Sequence, residues 1–156
     1  VGHTIAVLLK SGGVDFVAFD TDPQRVQQGR TDGHAVLYGD IADPELLAAA
    51  RAEQASLAIV TVDSHAVALR AVSALRRHCL QLPVIARARD LDASAALVGA
   101  GAMHAYPETI EASLRLGATA LRILQHPVVD IDRMLQDIRD RDYRPVIETP
   151  VKEVAQ

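Results

Sequence analysis

Short apolar runs and helical segments alternate along this chain without interruption, and that alternation constrains its fold more than any other feature. The runs are VDFVAF (14–19), AVLYG (35–39), LAIVTV (57–62), PVIARA (83–88) and AMHAY (102–106). Helical spacing fills the intervals near 3–11, 24–31, 44–53, 64–79, 91–99 and 109–125. Consecutive strands separated by a helix pair in parallel, because a parallel return needs a crossover connection. The expected fold is therefore α/β: a Rossmann-like doubly wound parallel sheet with helices on both faces. Apolar residues make up 49% of the 156 residues but aromatic ones only 3%. The core must then be aliphatic, as suits strands buried on both faces.

Several helix starts are marked. Asp22-Pro23 and Asp43-Pro44-Glu45 each offer an N-cap followed by proline at the first helical position. Thr109 is expected to cap the helix over 109–125 in the same way. Beyond His126-Pro127 the pattern changes, dividing the chain into an expected α/β part over 1–126 and a C-terminal part over 127–156. In the latter, VVDIDRMLQDIRDRD reads as a further helix and YRPVIETPVKEVAQ as an extended tail or edge strand. The 109–125 segment is apolar nearly all round and needs cover on more than one side. Either the C-terminal segment or a second subunit supplies it.

Formal charge is −4 with both signs mixed throughout. This gives no electrostatic case for nucleic acid or an anionic membrane surface. No apolar run approaches the ~18 residues of a spanning helix, and no basic segment leads into an apolar one as in a signal peptide. Cys79 stands alone and reads as a structural thiol in a reducing, cytosolic setting. The six histidines show no i, i+4 pairing that would suggest zinc. Only His65, just after Asp63, falls near the strand ends. No Tyr-x-x-x-Lys occurs, and the chain after the last long helix is too short for a substrate domain, so an oxidoreductase is the disfavoured alternative.

The opening stretch, VGHTIAVLLKSGGVDFVAFD, resembles part of a dinucleotide-binding βαβ unit. Such a unit runs strand, G-x-G-x-x-G, helix, then a second strand ending in an acid about 20 residues on. Gly2 stands where the third glycine should, directly before a helix whose N-terminal N–H groups face an anion. Asp20 ends the following run at the spacing for the ribose hydroxyls. Tyr38-Gly39-Asp40 and Thr61-Val62-Asp63 end the next two runs, so all three acids fall at carboxyl ends of strands, where open parallel sheets bind ligands. The first strand of the unit and its first two glycines are expected upstream of Val1. Without that strand, two inner sheet edges would stand roughly 10 Å apart with unpaired backbone groups.

Taken in order, VGHTIAVLL, VAFDTDPQRV, VLYGDIADPELL, VIARARD and YPETIEASL resemble a nucleotide-binding regulatory domain of potassium channels and transporters. It is known as the regulator of K⁺ conductance or Trk-type N-terminal domain. The likeness is greatest to the cytosolic C-terminal domain of glutathione-regulated potassium efflux systems in the cation:proton antiporter-2 group, and it covers about residues 1–125. It implies a ligand-sensing regulatory domain, on the cytoplasmic side of the inner membrane, that binds NAD(H) or AMP and acts as a homodimer on a membrane transport domain. Glutathione is a possible further partner. A stand-alone regulatory subunit of a potassium uptake system is the runner-up. The site implied comprises Gly2 at the phosphate turn, Asp20 and Thr21 at the adenosine ribose, and Gly39 and Asp40 beside the adenine. Thr61 and Asp63 would face a phosphate or the second ribose, and Arg87 the ligand cleft or a neighbouring subunit. Asp22 stays outside the site as a helix cap. Arg87 and Arg89 have the plainer alternative of surface pairs with Asp90 or Asp92. Arg25 would meet a 2′-phosphate, but Asp20 would repel that group, which favours NAD(H) or AMP over NADP. Glu108 reads as structural, near the hinge into the long helix.

Overall fold

The computed structural model describes residues 1–147. In chain order the elements are α1 (Gly2–Ser11), β1 (Ala18–Asp20), α2 (Pro23–Thr31), β2 (Val36–Tyr38), α3 (Pro44–Ala49), β3 (Ala58–Val60), α4 (His65–His78), β4 (Val84–Ala88), α5 (Leu91–Gly99), β5 (His104–Pro107), α6 (Glu108–Ile123), α7 (Val128–Asp140) and α8 (Arg144–Ile147). A single 3₁₀ turn, Ala52–Gln54, joins α3 to β3. Every strand pair is parallel: Ala18 lies opposite Val36, Ala58 opposite Val84, and Ile85 opposite His104. The expected α/β class therefore stands.

The strands form two sheets, β1-β2 and β3-β4-β5. Among the described residues β1 pairs only with β2, and β3 only with β4. The two inner edges anticipated from the sequence are thus left unjoined. This divides the packing unevenly. The aliphatic core gathers on the three-stranded sheet, where Ala68, Ala71, Val72, Ala74 and Leu75 of α4 bury against Val60, Val84, Ala86 and Ala88. Small residues on this face of α4 let the helix sit close to the strands. On the other side only Val26 of α2 is fully buried, and α1 has no buried residue at all. α1 is held by side chains instead: Lys10 Nζ donates to the Gly33 carbonyl at 3.1 Å, and His3 lies 3.7 Å from Asp32.

The expected caps at Asp22 and Asp43 form, and Ser64 and Asp90 add two not anticipated from the sequence. Asp22, Asp43, Ser64 and Asp90 accept from the backbone N–H groups of Gln24, Glu45, Val67 and Ala93. Three expectations change. The strand expected over 14–19 is only Ala18–Asp20, because the Val14 N–H donates to Leu9 O and so belongs to the end of α1. Thr109 stands inside α6 rather than before it, since the helix begins at Glu108. Residues 144–147 are not extended but form the short α8, which starts with Pro145 in its first turn, where a missing N–H costs nothing. The rest of the expected tail, 148–156, lies outside the described residues.

Compact packing divides the chain at Glu108/Thr109. In the unit beginning at Thr109, α7 returns along α6. Arg139 donates twice to the Glu111 carboxylate (2.9 and 2.7 Å), and the Tyr143 hydroxyl donates to the same group at 2.8 Å. The Arg139 guanidinium holds the Glu111 carboxyl below its ordinary range, against the opposing effect of partial burial. Ile131 is fully buried there, while Leu116, Ile123, Leu124 and Val129 remain exposed. The C-terminal segment thus covers part of the apolar surface of α6 and leaves the rest open.

Candidate functional site

The site is built from the carboxyl ends of the strands. Asp20 is the last residue of β1. Its Oδ1 accepts the Asp22 N–H at 2.9 Å, an Asx turn that aims the carboxylate away from the strand. Its Oδ2 lies 3.7 Å from Arg25 Nη1, and the side chain keeps 30% of its surface exposed. Arg25 also approaches Asp22, at 3.4 Å. Thr21 follows Asp20 and is exposed.

The end of β2 is tied to the same place. The Gly39 N–H donates to the Asp20 carbonyl at 3.0 Å, and a β-carbon on Gly39 would come within 2.5 Å of Leu46. A larger residue there would force the tip of Leu46 to move. Asp40 then turns back, its Oδ1 accepting the Ala42 N–H and its Oδ2 lying 3.1 Å from Arg70 Nη2 on α4. Asp40 is therefore engaged by a residue that no motif in the sequence singled out. An open groove of about 880 Å³ borders this pair, lined also by Ser73, Arg76 and Arg77. Those last two arginines stand in the final turn of α4, where cations complement the helix dipole.

On the three-stranded sheet, Thr61 follows β3, and a β-carbon on Gly2 would stand 3.2 Å from its Oγ1. Gly2 thus brings the N-terminus of α1 against the end of β3. No side chain among the described residues caps that helix, and a helix N-terminus of this kind can receive an anion. Asp63, two residues beyond Thr61, is paired with Arg87 Nη1. Arg87 is in turn held by Glu108 Oε1, 2.7 Å from its Nε. The alternative of an Arg87 pair with Asp90 or Asp92 is corrected here. Arg87 projects sideways from the buried β4 to the ends of β3 and β5, and it is Arg89 that meets Asp90, at 3.1 Å. Among the described residues no group of His, Cys, Asp and Glu is placed to hold a metal ion.

The charge state of this cluster is one-sided. The hydrogen bond from Arg87, with its positive charge, lowers the Asp63 carboxyl below the usual 3.8, and Arg25 adds to the effect. Glu108 and then Asp63 hold the Arg87 guanidinium firmly charged. A lowered carboxyl contributes fully above its ordinary value, and that contribution is lost as pH falls through the folded-state value. Arg87→Met is expected to move the Asp63 titration, followed by carboxyl-carbon NMR, up toward 3.8. The stability difference between wild type and variant should be constant near neutrality and shrink only in strong acid. A titration midpoint unchanged by the substitution would refute the pairing.

Gly2, Asp20, Thr21, Gly39, Asp40, Thr61, Asp63 and Arg87 thus all stand at the carboxyl ends of strands or directly beyond them, apart from Gly2, which opens α1. Glu108, read from sequence as structural, joins them by holding Arg87.

A family model described as the TrkA-N domain matches residues 1–107. A putative K(+) efflux antiporter, KefB of Alkalimonas amylolytica, is 32% identical over 144 residues, or 92% of this chain and 22% of that protein. The glutathione-regulated potassium-efflux system protein KefC of Klebsiella aerogenes is 37% identical over 123 residues, 79% of this chain and 20% of its own length. The chain thus spans about a fifth of these relatives. Among solved structures, the Kef C-terminal domain of Shewanella denitrificans in AMP-bound form superposes with a TM-score of 0.75, at 27% identity, over 94% of this chain and 89% of that one. The GsuK channel bound to NAD matches with a TM-score of 0.69, at 25% identity, over 76% of this chain and 21% of the channel chain. With a family model matching well over half its length and relatives above 30% identity, this chain belongs to the TrkA-N domain family.

Proposed function

We propose that this chain is the nucleotide-sensing part of a potassium efflux antiporter, binding AMP or NAD(H) at its strand ends and biasing a linked transport unit. The observation that carries this reading is the Asp20 carboxylate. It ends β1 with one oxygen accepting the N–H of its own turn and the other 3.7 Å from Arg25, the side chain keeping 30% of its surface exposed. Two ribose hydroxyls are donors that such an oxygen accepts with charge assistance. At the end of β3, the N-terminus of α1 provides N–H groups for a phosphoryl group. The residues present therefore fit a nucleotide, and Asp20 disfavours a ribose that carries a 2′-phosphate. The structures bound to AMP and to NAD support the same ligand class.

Control then works by population shift. A ligand that contacts both sheets favours the arrangement in which those contacts coexist, and it can shift the equilibrium only by that differential affinity. A homodimer through the exposed apolar side of α6 is the natural relay, with Leu116 and Ile123 as its centre. The transported ion, the antiporter link and any response to glutathione come to this chain from its likeness to the Kef proteins. No helix among the described residues is long and apolar enough to cross a membrane, so a transport unit would lie elsewhere.

The test is calorimetry of the full chain with AMP and with NADH, alongside absorbance at 340 nm with a panel of carbonyl substrates. Saturable heats without NADH consumption are expected. No binding of either nucleotide, or sustained NADH oxidation, would overturn the reading.

A further inference from the structure

The proposed nucleotide site leaves one arrangement unexplained. Asp63 places a carboxylate at the strand end where an anionic ligand group should arrive. Like charges a few ångströms apart repel, and more strongly at a protein surface than in bulk water. Asp63 is nevertheless kept ionised there by Arg87.

The two partners of Arg87 are not equivalent. Glu108 receives Nε at 2.7 Å and keeps 39% of its side chain exposed, whereas Asp63, on Nη1, keeps 74%. The guanidinium itself is 22% exposed, fixed at the root by β4, whose residues alternate between buried and half-buried. Releasing Asp63 to water therefore costs little, as for any exposed ion pair. Releasing Glu108 would free the guanidinium from the edge that orients it.

We propose that Asp63 is a resident counter-ion that the second phosphoryl group of a dinucleotide displaces from Arg87, and that Glu108 is the positioning residue that keeps Arg87 in place during the exchange. This rests on the nucleotide reading above and adds to it an autoinhibitory contact. Asp63 competes with the ligand for Arg87. The ligand is taken to be a dinucleotide because the single phosphoryl group of a mononucleotide is spent at the N-terminus of α1, beside Thr61. A dinucleotide carries a second phosphoryl group, bonded to the first, that is left for Arg87. The exchange swaps one anion for another on a guanidinium that stays charged, so no proton moves.

The experiment measures the NADH:AMP affinity ratio by calorimetry on the full chain, for wild type, Asp63→Asn, Glu108→Gln and Asp20→Ala. Asp63→Asn should raise the ratio about twofold to fivefold, the scale of an exposed ion pair. Glu108→Gln should lower it by a similar factor. A purely structural role for Glu108 would leave the ratio unmoved. If Asp63 instead holds the second ribose directly, Asp63→Asn lowers the ratio, and the proposal falls. It falls equally if both variants shift the ratio in one direction, if neither moves it, or if wild type binds no NADH. Weakened AMP binding in Asp20→Ala would leave the adenosine site standing in each of those cases. AMP binding indifferent to Asp20 would remove that site itself.

Discussion

Asp20→Ala is expected to weaken AMP and NADH binding by about 1–3 kcal/mol, the scale of losing charge-assisted hydrogen bonds at a partly enclosed site. That corresponds to a roughly tenfold to hundredfold rise in Kd. The fold should survive. Asp20 is the last residue of β1, and its strand pairing with Tyr38 uses backbone groups that alanine retains. What alanine also loses is the acceptor for the Asp22 N–H, a local bond worth about 1 kcal/mol to the turn. Asp20→Asn separates the two effects. It keeps an oxygen for the turn but removes the charge, so its affinity should fall between those of wild type and alanine. Equal affinity in all three proteins would take Asp20 out of the site, and loss of cooperative unfolding in alanine alone would make its role structural.

Leu75→Ala should have the largest effect on stability, a loss of about 2–5 kcal/mol in denaturant unfolding. Leu75 is 2% exposed and stands in the face of α4 that closes the three-stranded sheet, among Val72, Val84 and Leu97. Its neighbours are aliphatic residues on regular elements and cannot swing in to fill a three-carbon void. Domains of this size are stable by only some 5–15 kcal/mol, so the variant would be marginal at 37 °C. Leu116→Ala is the useful contrast. Leu116 is 74% exposed on α6, and its truncation should change monomer stability by no more than about 0.5 kcal/mol. If α6 pairs two copies, that variant should instead shift sedimentation toward monomer. A loss at Leu75 below 1 kcal/mol would mean that the core lies elsewhere.

Much of the fold was legible because its signals are local. β-forming runs set apart by helical spacing imply parallel pairing whatever the details. A capping acid before a proline marks where a helix starts, as Asp22 and Asp43 do. The uneven core was not legible. Val14 and Val17 look as strand-like as Val84 and Ile85, yet both are exposed, because none of the described residues covers them. Nor was the C-terminal turn. Tyr143 adopts a left-handed φ of 62°, and its hydroxyl is bonded to Glu111, 32 residues away. No short window contains both ends of that bond.

The candidate site divides in the same way. That Asp20, Asp40 and Asp63 stand at carboxyl ends of parallel strands follows from the order of strands and helices in the chain, since a helical crossover sets the next strand parallel to the last. Which cation each acid meets does not follow. Arg70 reaches Asp40 across 30 residues and Arg87 reaches Asp63 across 24, while Arg89, an equally plausible partner by sequence, turns to its neighbour Asp90. Periodicity is set by backbone geometry within one element and can be read along the chain. Ion-pair choice is set by where long side chains end after separate elements have packed, and only the folded molecule specifies those positions.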